Sequence, residues 1–73
     1  MQVKVANRLY RMSKDEYSRL LGIAKEQVPF GVYAVEKGDY AELQNVHCKS
    51  STELKNIIRA FKSKGFKVLA NKE

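Results

Sequence analysis

The sequence predicts one small α+β domain of element order β-α-β-β-α-β. The expected layout is the ferredoxin-like two-layer sandwich, a four-stranded antiparallel sheet with two helices on one face. Three observations carry this expectation. Two amphipathic stretches each begin at a serine cap, segments rich in β-formers flank both of them, and the two halves of the chain resemble each other.

The first strand is read over Val3 to Tyr10, where Val3 and Val5 alternate with Gln2 and Lys4. Ser13-Lys14-Asp15-Glu16 then has capping-box spacing. Behind it Tyr17, Leu20, Leu21, Ala24 and Val28 form a single apolar stripe at helical period. Pro29 ends the pattern and favours an extended Val28. Phe30 to Val35 reads as the second strand, Glu36-Lys37-Gly38-Asp39 as a hairpin turn, and Tyr40 to His47 as the third strand.

The second helix repeats the grammar of the first. Ser50-Ser51-Thr52-Glu53 is followed by Leu54, Ile57, Ile58 and Phe61, and Gly65 supplies the left-handed closing residue. Phe66 to Ala70 is the last strand. A shift of 37 places Ser13 on Ser50, Glu16 on Glu53, and Leu20 and Leu21 on Ile57 and Ile58, as two similar βαβ units would.

A chain of 73 residues makes one domain, spanning residues 1–73, with a thin core. Its apolar runs are far shorter than the roughly 20 residues of a membrane span. Met1-Gln2-Val3-Lys4 lacks the apolar core of a signal peptide. The single cysteine, Cys48, excludes an internal disulfide and fits a reducing compartment, so the expected location is cytoplasmic.

The net charge is +6 and its placement is uneven. Residues 1–14 carry four bases and no acid, residues 15–42 three bases against six acids, and residues 43–73 seven bases against two acids. Basic ends around an acidic middle point to a polyanion or an acidic protein surface as partner.

In the ferredoxin-like order the first and last strands are neighbours. Side-chain alternation then sends Lys4, Arg8, Tyr10 and Lys67, with Tyr33 nearby, to the open sheet face. Cations there would hold phosphates and rings would stack on unpaired bases. Lys55, Arg59 and Lys62 form a second row on one face of the second helix. Together with Arg11 these residues are the expected nucleic-acid contacts. An ordinary solvated face accounts for such rows equally well.

The element order is also that of RNA-recognition motifs, and Phe30-Gly31-Val32-Tyr33 looks like part of their glycine-aromatic signature. It falls on the second strand, however, and the third, Tyr40 to Asn45, lacks the pattern. Acylphosphatases share the fold but need a glycine-rich turn where this chain has Leu9-Tyr10-Arg11-Met12-Ser13. Neither family is assigned.

His47 and Cys48 are adjacent and should point to opposite faces, a poor arrangement for a nucleophile and its base. One histidine and one cysteine cannot close a zinc site. Glu36, Asp39 and Glu42 surround the hairpin and are read as solubilising charges that protect an edge. The expectation is therefore a basic, non-enzymatic binding module without cofactor or metal, engaging nucleic acid. The rival is a protein-interaction or inhibitory accessory domain, of the kind phages and mobile elements encode, acting alone or as a homodimer.

Overall fold

A computed structural model describes residues 1–72. The elements are β1 (Gln2–Val5), β2 (Arg8–Arg11), α1 (Lys14–Gln27), β3 (Phe30–Lys37), β4 (Tyr40–His47), α2 (Ser51–Ser63) and β5 (Lys67–Lys72). The α+β class and both helices match the sequence reading. The sheet differs: it has five strands in the order β2-β1-β4-β3-β5, and β1 runs parallel to β4.

The extra strand comes from a break inside the expected first strand. Ala6 and Asn7 both adopt positive φ, 50° and 68°, which is the backbone of a two-residue hairpin turn whose twist suits the flanking strands. Val3 consequently pairs with Tyr10, and Lys4 with Leu9. This reversal decides the rest of the topology. β2 and β3 point the same way, β4 and β5 point the opposite way, and both crossovers move across the sheet in one direction. Right-handed crossovers must then place α1 and α2 on opposite faces of the sheet, rather than on one.

The packing agrees. Tyr17 of α1 sits with Val3 and Ala41, flanked by Val5, Leu21 and Leu43. Leu54 of α2 sits with Val32, Val35 and Cys48, flanked by Ile57, Ile58, Phe61 and Val68. On β3, Val35 belongs to the α2 side, while its neighbour Glu36 bonds the Tyr17 hydroxyl on the α1 side. Asn71 of β5 likewise donates to the Lys25 and Val28 carbonyls at the end of α1, at 2.9 and 2.7 Å. The molecule is thus three layers, helix, sheet and helix, with β3 covered on both sides. Val32, Ala34 and Val35 are fully buried.

Local signals set the helix ends. Ser13 Oγ accepts from the Glu16 N–H, and the Glu16 carboxylate accepts from the Ser13 N–H at 2.9 Å. Those bonds hold the Glu16 carboxyl below its usual range. Ser50 caps the Glu53 N–H in the same way. Gly65, at φ 89°, turns the chain out of α2, and Phe66 lies edge-on to Phe61 with ring centroids 6.2 Å apart.

β3 carries a bulge at Tyr33, which lets Val32 and Ala34 face opposite sides although they are two residues apart. At its start, Gly31 meets β4 so closely that a Cβ would stand 1.9 Å from the Val46 carbonyl oxygen. Replacing Gly31→Ala should therefore cost about 3 kcal/mol, read from urea unfolding midpoints. Replacing Ala6-Asn7 by Asn-Gly, which adopts positive φ readily, should stabilise by about 0.5 kcal/mol in the same measurement. An unchanged midpoint in the second variant would mean that the turn backbone carries no strain.

Candidate binding groove

The expected sheet-face patch does not assemble. β1 and β5 are not neighbours, because β4 and β3 stand between them. The Ala6-Asn7 turn also changes the alternation beyond Val5. Arg8 pairs with Val5 and Tyr10 with Val3, so both lie on the α1 face, away from Lys4. Lys4 shares its face instead with Leu9 and, diagonally, with Arg11, the partner of Gln2. Lys67 lies opposite Glu36, on the α1 face near the far edge of the sheet. Tyr33 occupies the bulge on β3 and joins none of these cations.

Lys55, Arg59 and Lys62 share one face of α2, as their spacing requires. All three are exposed and lie along one groove of about 440 Å³. Its remaining lining is Phe30, Ser51, Leu54, Ile58 and Lys72. Lys72 is the fourth cation, and it was legible in the alternation of β5: Val68 and Ala70 face α2, so the residue two further on does too. Among the described residues, no carboxylate lines the groove. Its floor is apolar, with Leu54 buried and Phe30 and Ile58 half-exposed. The groove reaches the outer strand of the sheet at Lys72, the last residue of β5, a strand that among the described residues pairs only with β3.

Two acids of the hairpin, Glu36 and Glu42, are engaged elsewhere. Glu36 accepts from the Tyr17 hydroxyl at 2.6 Å, and Glu42 from the Tyr40 hydroxyl at 2.7 Å and from Gln44 at 3.1 Å. Both carboxylates are therefore part of the fold's hydrogen bonding as well as surface charges. Burial of its ring and the adjacent carboxylate push the Tyr17 phenol well above its ordinary pKa, and the bond to Glu42 raises Tyr40.

His47 is exposed, with Nε2 3.1 Å from Asn45 Oδ1, while Cys48 is buried in the α2 core. Desolvation, with Glu53 nearby, raises the Cys48 thiol, which keeps it protonated near neutral pH. No group of three or more metal-ligating side chains converges among the described residues, and no described helix is long and apolar enough to cross a membrane. No protein-family model, curated protein or solved structure matches this chain.

The Tyr17–Glu36 bond gives a pH test. A phenol whose folded pKa lies above its unfolded value contributes stability that is complete below about pH 10 and fades as pH rises beyond it. Tyr17→Phe should cost about 1 kcal/mol near neutral pH. The gap between variant and parent should narrow in alkaline unfolding titrations, and a gap that widens with pH would exclude the bond as its source.

Proposed function

We propose that the chain is a non-enzymatic interaction module that captures an acidic segment of another protein in the groove along α2. One observation carries this reading: four cations, Lys55, Arg59, Lys62 and Lys72, rim a groove whose floor is Leu54, Ile58 and Phe30. A partner that covers it must bring negative charge for the rim and apolar side chains for the floor. Acidic protein segments with interspersed aliphatic residues have both, and rim charges set their orientation and rate of encounter.

Nucleic acid is the second reading, favoured by the same row of cations with no carboxylate in the groove lining among the described residues. Phosphates would be held by the rim. The rings expected to stack on bases, Tyr10 and Tyr33, lie away from the groove, and among the described residues Phe30 is the only aromatic one that lines it. A patch of cations alone does not distinguish the two partners. The aliphatic floor is what favours protein.

The test is a titration of a short labelled peptide rich in glutamate and valine against single- and double-stranded oligonucleotides, each at low and at physiological salt. The peptide should bind, and the charge reversal Lys55→Glu with Arg59→Glu should weaken it at least about tenfold while leaving the unfolding midpoint nearly unchanged. Oligonucleotide binding that is tighter than the peptide's and falls steeply with salt would transfer the groove to nucleic acid.

A further inference from the structure

The groove does not stand alone. It meets the end of β5 at Lys72, and among the described residues the outer edge of that strand has no partner. An unpaired edge presents a row of N–H and C=O groups ready for another chain, and folded proteins commonly blunt such edges with charge. β5 is blunted only at its ends, by Lys67 and Lys72; the stretch between them is Val68-Leu69-Ala70-Asn71. Resting on the protein-partner reading above, we propose that the captured segment binds as a sixth strand, added to the free edge of β5.

The geometry specifies the segment. In an added strand, alternate side chains turn toward α2 and the others toward the α1 face. Those facing α2 meet the aliphatic floor of Leu54 and Ile58, with Lys55, Arg59 and Lys62 along the helix and Lys72 on the sheet. The matching pattern is therefore acid, any residue, aliphatic, any residue, acid. β-Branched residues at the intervening positions would favour the extended backbone.

A second copy of this chain fits less well. Antiparallel pairing of two β5 strands about their centre would set Lys67 of one against Lys72 of the other, and among the described residues β5 carries no acid to offset them. The opposite edge, β2, ends in Arg8 and Arg11 and would meet its own copy with the same repulsion.

The probe is a capped heptapeptide alternating threonine with glutamate, valine and glutamate, tested against the full chain by fluorescence anisotropy. Two further versions carry backbone N-methyl groups, one on the threonines and one on the other three residues. In a strand, successive N–H groups point to opposite edges, so only one of the two sets can face β5. Strand addition predicts that one methylated version loses about tenfold in affinity or more while the other keeps most of it. Amide exchange within residues 68–71 should slow when the parent peptide is bound.

Equal affinity of all three peptides, with loss on charge reversal of Lys55 and Arg59, would overturn strand addition and leave the groove as a charge-driven protein site. Failure of every peptide to bind at low salt would overturn both proposals. So would displacement of the peptide by a single-stranded oligonucleotide at lower concentration than by a second acidic peptide.

Discussion

The architecture depends on one constraint: β3 must be covered on both of its faces. Val32 and Val35 turn to one side and Ala34 to the other, all fully buried, and no single helix covers both sides. β3 accordingly reads as a nearly continuous apolar run, as central strands of doubly covered sheets do. The bulge at Tyr33 makes this possible by shifting the alternation halfway along the strand. α1 then fits over Val3, Ala41 and Leu43, α2 over the Val32–Val35 side, and neither helix needs to touch the other to be held.

The helices were the most legible part of the sequence, because their information is local. A serine three residues before a glutamate and an apolar stripe at helical period define each of them, and Pro29 after α1 and Gly65 after α2 mark their ends, without reference to the rest of the chain. The strand order was less legible. Ala6-Asn7 is not among the usual glycine-containing hairpin signals, so Val3 to Tyr10 reads as one strand, and a single missed reversal moves a helix to the other face of the sheet. The sheet patch does not form for the same reason, since the turn removes Tyr10 and Arg8 from the face that holds Lys4. The α2 row survived because its spacing lies within one helix. Phe30 joins the groove only through tertiary packing, which brings the start of β3 to the flank of α2, whereas Lys72 follows from the alternation of Val68 and Ala70 once β5 extends to it.

Charge is sorted by the same packing. Glu36 and Glu42 are drawn into bonds with Tyr17 and Tyr40 on the hairpin, and the α1 cap occupies Glu16. The cations of α2 face a groove lined by none of these acids. The chain's net charge of +6 is thus less informative than its placement: Glu16, Glu36 and Glu42 are used to hold the fold, while Lys55, Arg59, Lys62 and Lys72 line a concave surface.

Placing helices on opposite faces divides the interior of a very small protein into two thin oily layers, each too modest to persist alone. They share only the strands between them, and β3 lines both. Detaching α1 would strip Ala34 and Val3 of cover and loosen the ribbon against which α2 rests; losing α2 would do the converse. Melting is for that reason expected to be a concerted event, in which the departure of one layer takes the other with it.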